Sequence, residues 1–250
     1  MNITVYSPDQ QAIGQFDGGK ITEQKPIGFP QEGSAVKRVG PLFYWAWAKA
    51  EKAGYIPSHP HQAFEIITYV INGRAEHGDS LGTKSTVGHG GIQVMQTGSG
   101  VSHEEGFVGP NMEAFQIWFE PFMNEAVKRK PTYHQYTHDE FPVETINGST
   151  IKTVIGKGAP VDLVADIQMW DIELKAGGNK SLPIPGNYSF AILAIRGNGS
   201  VNDSAFNHKD FIVAQADQDD NVRIEANTGE TTRVIVILVP TEVDYPLYRK

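Results

Sequence analysis

The sequence predicts an all-β protein made of two tandem barrels with few short helices. Two observations carry this prediction. The 26 glycines and 15 prolines of the 250 residues punctuate short apolar runs along the chain, a pattern typical of many short strands joined by turns. A weak internal repeat at a constant offset of 124 residues indicates that one barrel is duplicated.

The first half carries the clearer strand pattern. Apolar runs separated by Gly, Asn and Asp predict these strands: Phe43–Ala48, Glu65–Ile71, Thr83–Val87, Ile92–Gln96 and Met112–Glu120. Asn72-Gly73 and the segment 79–82 have the composition of hairpin turns. A short helix is expected within residues 123–130, in a connector that spans 121–148.

The second half repeats the first weakly. Residues 70–80 align with residues 194–204, and four of the eleven positions are identical, namely Ile71/Ile195, Gly73/Gly197, Asp79/Asp203 and Ser80/Ser204. We therefore expect an N-terminal barrel over residues 1–135 and a C-terminal barrel over residues 136–250.

Composition excludes several classes of function. The formal net charge of −8 leaves no positive field for a nucleic acid backbone, so direct nucleic acid binding is not expected. The absence of cysteine excludes disulfides and thiolate metal sites. We see neither a secretory signal nor an apolar run of the roughly 18 residues that a membrane helix needs, so the expectation is a cytoplasmic protein without membrane contact.

Two short motifs predict a metal site. Residues i and i+2 of a strand point to the same face, about 6.6 Å apart. His59-Pro60-His61 therefore offers two imidazoles on one face. By the same alternation, His103 and Glu105 share a face and Glu104 points away. Two such pairs on facing strands can converge on one ion.

The predicted ligand set is three neutral imidazoles and one carboxylate. It suits Fe, Mn, Ni, Cu or Zn, and an octahedral ion would keep positions open for water or a chelating ligand. Glu65 is the alternative to Glu105 as the acidic ligand, because it shares the parity of His59 and His61. A straight strand would place Glu65 about 13 Å from His61, in which case it is expected to support an imidazole.

The other histidines are expected to play ordinary roles. His77 and His89 lie in or near predicted turns and are expected to be exposed or hydrogen-bonded. His134 and His138 are expected on the surface of the connector. Gln116 and Trp118 share one strand face, which is a candidate pocket wall.

These residues carry a family resemblance. Three segments resemble the pirin signature within the cupin superfamily: His59–Val70, Glu76–Gly82 and Met95–Glu105. The resemblance is dense from about residue 43 to 135. It implies a two-barrel fold with iron or a similar divalent metal in the first barrel only, held by the residues that match His59, His61, His103 and Glu105.

The chain departs from the family pattern in places. Gln62-Ala63 stands where pirins usually carry Arg-Gly, and the first 40 residues lack the family's usual opening. At the offset of 124, His59 and His61 align with Pro183 and Pro185. A metal-free second barrel is therefore expected.

The resemblance implies a quercetin 2,3-dioxygenase-type activity on a flavonol or related phenol with O₂. In that reaction Glu105, or Glu65, would take the hydroxyl proton. The alternative is a metal-dependent regulatory protein that binds a protein partner, such as a transcription factor or a metabolic enzyme. A third option is metal storage without catalysis.

Overall fold

The computed structural model describes all residues from Met1 to Lys250, and it confirms an all-β fold with few short helices. One α-helix, α1 (Met123–Ala126), and four 3-10 turns accompany twenty strands. The strands are β1 (Asn2–Tyr6), β2 (Ala12–Phe16), β3 (Ile21–Ile27), β4 (Leu42–Ala50), β5 (Ala53–His61), β6 (Glu65–Asp79), β7 (Lys84–Gly88), β8 (Ile92–Gln96), β9 (Val101–Phe119), β10 (Thr132–Tyr136), β11 (Val143–Ile146), β12 (Ser149–Ile155), β13 (Gln168–Leu174), β14 (Asn179–Ile184), β15 (Tyr188–Arg196), β16 (Gly199–Val201), β17 (Ser204–Phe206), β18 (Phe211–Ala216), β19 (Asp220–Ala226) and β20 (Thr232–Pro240).

The strands form three antiparallel sheets. The first half builds a nine-stranded sheet in the order β10-β8-β6-β9-β4-β3-β2, with β5 paired to β9 and β7 paired to β6. The second half builds a seven-stranded sheet, β1-β18-β15-β20-β13-β12-β11, and a four-stranded sheet, β14-β19-β16-β17. No helix is long and apolar enough to cross a lipid bilayer.

A central core joins the two halves. It contains 29 buried residues contributed by both large sheets. Trp45 and Trp47 of β4 face this core, whereas Ala46 and Ala48 between and beyond them face the interior of the first half. The alternation of a strand explains this division, and it leaves β4 apolar on both faces. A further cluster of 19 buried residues fills the interior of the second half.

Both ends of the chain cross between the halves. The strand β1 lies at the start of the chain, but it pairs with β18, with Tyr6 opposite Phe211. The C-terminal segment returns to the first half, where the Tyr248 backbone N–H donates to the Glu120 carboxylate, which also accepts a 3.1 Å hydrogen bond from Arg38 Nη1. The domain boundary at residue 135 stays a prediction.

One predicted turn is wrong. Asn72-Gly73 lies inside the 15-residue strand β6, where the pairing with β9 shifts register on both sides of Asn72. Gly73 has a φ of +76°, and Asn72 Nδ2 donates to the Asn111 carbonyl at 2.7 Å. The positive φ that resembles a turn therefore belongs to a bulge, which bends the strand without ending it.

The internal repeat has a counterpart in the backbone. Gly197, which aligns with Gly73, also has a positive φ, of +67°. It follows β15, whose pairing with β20 shifts register at Ala194 and Arg196. The turn expected at residues 79–82 does connect β6 to β7, and Asp79 Oδ1 accepts hydrogen bonds from the backbone of Leu81 and Thr83.

Candidate metal centre

Two paired strands place the predicted histidines side by side. His59 of β5 lies directly opposite His103 of β9. Along the first part of β9, the side chains at positions 101, 103, 105 and 107 are buried and those between them are partly exposed. The alternation of a strand thus directs His103 and Glu105 into the barrel. Glu104 points outward, where its carboxylate accepts a 2.7 Å hydrogen bond from the Tyr55 hydroxyl.

The three imidazoles meet through their Nε2 atoms. His103 Nε2 lies 3.0 Å from His61 Nε2 and 3.1 Å from His59 Nε2. One potential ligand atom from each ring lies within 4.8 Å of the others. Burial and the neighbouring imidazoles lower the pKa of His61 and of His103 to about 3. The His61 and His103 rings are therefore neutral at physiological pH, which is the form that binds metal ions.

The hydrogen bonds of the cluster fit a metal ion. His59 Nδ1 donates to the Pro57 carbonyl at 2.8 Å, which orients the ring with Nε2 toward the other two imidazoles as the potential ligand atom. His103 Nδ1 is buried without a partner. With the protons on the Nδ1 atoms, the three Nε2 lone pairs would face one another at about 3 Å, an arrangement that a bound cation would stabilise. The cluster could therefore hold a metal.

Glu105 lies beside the imidazoles but outside their close cluster. Its side chain is buried, Oε1 accepts a 3.1 Å hydrogen bond from Thr68 Oγ1, and Oε2 accepts a 2.5 Å bond from Gln116 Nε2. The group of ligand atoms within 4.8 Å of one another contains the three histidines alone. Glu105 as a fourth ligand stays a prediction.

Glu65 occupies a different environment from the one that sequence parity suggested. It is buried, Oε1 accepts hydrogen bonds from Gln96 Nε2 and the Val164 backbone, and Oε2 accepts one from the Ala165 backbone. Its carboxylate therefore ties the first half to the second and contacts no imidazole. Parity failed here because β5 ends before Glu65, in a turn where Ala63 has a φ of +70°.

Sequence reasoning missed one pair beside the centre. His77 is a buried strand residue, its Nε2 lies 2.8 Å from Asp79 Oδ2, and its ring stacks on Tyr133 at 4.3 Å. The His77 ring lies 5.4 Å from that of His103. The i, i+2 spacing of His77 and Asp79 would have indicated two side chains on one strand face. The pair was not recognised because both residues were expected in or near a turn.

Aromatic side chains cover the imidazoles. The ring of Trp118 meets that of His61 edge-on at 4.8 Å, and Phe64 packs against Trp118 at 5.5 Å. Gln116 and Trp118 share one face, as expected, since Gln116 bonds to Glu105 and Trp118 contacts His61. A cavity of about 550 Å³ opens onto His61 beside Gln62 and Ser102, within the range of roughly 300–1,000 Å³ of small-molecule sites.

Comparison with known proteins agrees with this architecture. The Pirin family matches residues 42–119, and the Pirin C-terminal cupin domain matches residues 169–238. A Pseudomonas aeruginosa protein named "Putative quercetin 2,3-dioxygenase" is 28% identical over 75% of this chain and 68% of its own length. A pirin-like protein of Caulobacter vibrioides is 34% identical over 57% of this chain and 54% of its own length. The chain thus spans about half to two thirds of these relatives.

A solved structure shares the fold. The bacterial pirin YhhW of Escherichia coli, solved in complex with nickel(II), superimposes with a TM-score of 0.78 at 21% identity, over 96% of this chain and 99% of that one. The two family matches fall on the two halves of the molecule, and the first of them contains the histidine cluster. The chain belongs to the pirin family.

Proposed function

We propose that this pirin is a metal-dependent oxygenase of the quercetin 2,3-dioxygenase type, acting on a flavonol or a related phenol with O₂. The observation that carries the proposal is the convergence of three imidazoles next to a buried carboxylate, with a cavity of about 550 Å³ that opens at His61. The name of the Pseudomonas aeruginosa relative supports the reaction, and the nickel complex of the Escherichia coli pirin supports a divalent metal.

The residues that would hold the metal are His59, His61, His103 and Glu105. Iron is the metal we expect from the family, and Mn, Ni, Cu or Zn suits the same donors. When bound, the metal would supply Lewis-acid polarisation of the phenol and bring it together with O₂. The Nδ1 bond from His59 to the Pro57 carbonyl orients one ligand ring for this task.

Glu105 is the base in this proposal. Its two oxygens are held by Thr68 and Gln116, so the carboxylate keeps one orientation while it accepts the phenol proton. Gln116 is itself aligned, since its Oε1 accepts a 3.4 Å contact from Trp118 Nε1. The chain from Trp118 through Gln116 to Glu105 therefore positions the base.

The aromatic cover suits a flat phenol. Trp118 and Phe64 present ring surface next to His61, and offset or edge contacts between aromatic rings contribute about 0.5–1.5 kcal/mol each. Trp118 also shields one side of the His61 ring from water, while the cavity leaves another side of His61 accessible to a ligand. A planar, conjugated substrate fits this wall better than a flexible polar one.

The test combines metal analysis with O₂ uptake. We expect the purified protein to hold about one metal per chain and to consume O₂ with quercetin after loading with Fe, Mn, Ni, Cu or Zn in turn. His61→Ala should lose metal and turnover together, because it removes one of the three close nitrogens. His134→Ala is the matched control, since His134 is exposed on β10 and should leave both unchanged.

The negative outcomes are informative. Metal bound at about one ion per chain without turnover of any of several flavonols would refute the proposed oxygenase activity. It would favour a regulatory protein that a protein partner binds. A protein that stays free of metal with all five ions would refute both.

A further inference from the structure

A second cleft lies where the two halves meet, outside the histidine cluster. Its volume is about 260 Å³. Tyr69 and Gly90 line it from the first half, and Lys152, Asp171 and Arg233 line it from the second. None of these residues contributes to the centre proposed above, so the cleft is a separate feature of the molecule.

Lys152 is a buried cation without a counterion. Only 4% of the Lys152 residue surface is exposed to solvent. Its Nζ donates to the Gly90 carbonyl and to His138 Nδ1, at 3.1 Å, and lies 4.3 Å from the centre of the Phe141 ring. No carboxylate oxygen lies within 4.0 Å of Lys152 Nζ, although ten such ion pairs occur elsewhere in the molecule. An ammonium has three N–H donors, so one of them has no protein acceptor.

The nearest buried acid is already neutralised. Asp171 accepts hydrogen bonds from Arg233 Nε at 2.8 Å and from Arg233 Nη2 at 2.6 Å, and from the Tyr69 hydroxyl at 2.7 Å. In this bidentate ion pair, the negative charge of Asp171 and the positive charge of Arg233 neutralise each other. Arg233 Nη1 takes no part in this bidentate pair and is a second donor at the cleft. Glu173 is exposed at the rim.

The positive charge is carried by Lys152 at neutral pH. Burial lowers the pKa of Lys152 to about 8, so the amine is mostly protonated at pH 7. Burial and the neighbouring Lys152 lower the pKa of His138, and its Nδ1 accepts a hydrogen bond from the amine. Lys152 therefore lacks a carboxylate at ion-pair distance, although Asp171 and Asp139 act on it from farther away and Glu173 lies at the rim. A buried ammonium without a close counterion is costly.

We propose that this cleft binds a small organic monoanion through its carboxylate group, with Lys152 as the counterion and Arg233 Nη1 as a second donor. The Lys152 ammonium can pair with one carboxylate, whereas a phosphate dianion would also face the carboxylates of Asp171 and Glu173 in the same cleft. The volume lies just below the roughly 300 Å³ at which sites for drug-sized ligands begin, which restricts the ligand to a small acid. Tyr69 and Val143 line the cleft with apolar surface, which favours a ligand whose remainder, beyond the carboxylate, is apolar.

The proposal is tested by calorimetric titration of the full-length, metal-loaded protein. Acetate, benzoate and inorganic phosphate are the probes, at constant ionic strength maintained with chloride. We expect saturable binding of about one carboxylate per chain, with phosphate bound more weakly than benzoate. Lys152→Met should weaken carboxylate binding at least about tenfold, since a hydrogen bond to a charged group contributes about 1.5–3 kcal/mol.

Two further variants keep the test decisive. Lys157→Met removes an exposed lysine that does not line the cleft, and it should leave binding unchanged. Val143 is 42% exposed at the cleft edge, so Val143→Trp should fold and block the space. If Lys152→Met fails to fold, loss of binding in Val143→Trp supports the proposal and unchanged binding there overturns it.

Carboxylates also bind metals, so the titration is repeated on His61→Ala. Binding that persists in this variant belongs to the cleft, and its outcome does not depend on the oxygenase proposal. Binding that disappears with His61→Ala, or that survives Lys152→Met at full strength, overturns the proposal. Phosphate bound as tightly as benzoate overturns the assignment to monoanions.

Discussion

Two buried glutamates of the first half have opposite surroundings. Glu65 accepts two backbone N–H groups from the second half, and Glu105 faces the imidazoles with the support of a hydroxyl and an amide. Burial raises the pKa of Glu65 above its ordinary value, and the hydrogen bonds from the Val164 and Ala165 backbones offset only part of this increase. At the scale of single residues, Glu65 therefore joins the two halves of the fold, and Glu105 is the acidic residue that we propose as a ligand of the centre.

Replacing each glutamate by glutamine separates these roles. Glu65→Gln turns one acceptor oxygen into an NH₂ group that faces a backbone N–H, which should lower the free energy of unfolding by about 1–3 kcal/mol. Its metal content should not change. Glu105→Gln should weaken metal binding at least about tenfold, because it removes the anionic donor.

Both variants are compared by urea denaturation of the metal-free proteins, since bound metal would itself add stability. Metal content is measured after dialysis against a chelator. A Glu65→Gln protein that folds with wild-type stability and loses its metal would reverse the two assignments.

The histidine cluster could be predicted because the pattern that indicates it lies in two short segments of the sequence. His59, His61 and His103 follow from the alternation of two strands and from their family pattern. The role of Glu65 could not be predicted, because its partners lie about 100 residues away, at Val164 and Ala165. His77 is hydrogen-bonded, as expected, but its burial could not be predicted, because β6 continues past the predicted turn at Asn72.

At the scale of elements, the length of β6 depends on one bulge. Gly73 has a φ of +76°, and a Cβ there would lie 2.8 Å from the Val108 carbonyl oxygen and 3.0 Å from the Met112 backbone. No local signal distinguishes this bulge from a hairpin turn, since both use Asn-Gly with a positive φ. Pairing with β9, which is distant in the chain, decides between them.

Gly73→Ala should therefore destabilise more than an equivalent change in a true turn. Gly82 has a φ of +90°, and a Cβ there would meet no other atom within 4 Å. Gly82→Ala should thus cost about 1–2 kcal/mol from the left-handed backbone alone. Gly73→Ala adds a clash with backbone atoms and should cost more. Urea denaturation measures the free energy of unfolding of both variants. Equal losses would show that the bulge accommodates the added Cβ without further strain.

At the scale of the whole molecule, the central core couples the halves. The sequence predicted short strands but not this core, because a strand such as β4 is apolar on both faces and alternation alone does not say which face meets which partner. Pairing of β1 with β18 and the return of Tyr248 to Glu120 add contacts between the halves. We therefore expect one cooperative unfolding transition.

The four tryptophans allow this coupling to be measured. Trp45, Trp47 and Trp118 belong to the first half, so Trp170→Phe confines the fluorophores to that half. Trp45 and Trp47 report its face in the central core, and Trp118 reports a cluster made of first-half residues. Leu182 lies in the interior of the second half, in a cluster without first-half members except Ile3 and Val5 of β1 at its edge. In the Trp170→Phe background, Leu182→Ala should cost about 2–5 kcal/mol.

If the halves unfold together, Leu182→Ala lowers the fluorescence midpoint by as much as the midpoint from circular dichroism, which reports both halves. Leu193→Ala is the matched variant, because Leu193 lies in the central core itself and should shift both midpoints under either scheme. An unchanged fluorescence midpoint in Leu182→Ala, with an earlier separate phase by circular dichroism, would mean that the halves unfold independently. The shared core would then act as an interface between two domains and not as the core of one cooperative unit.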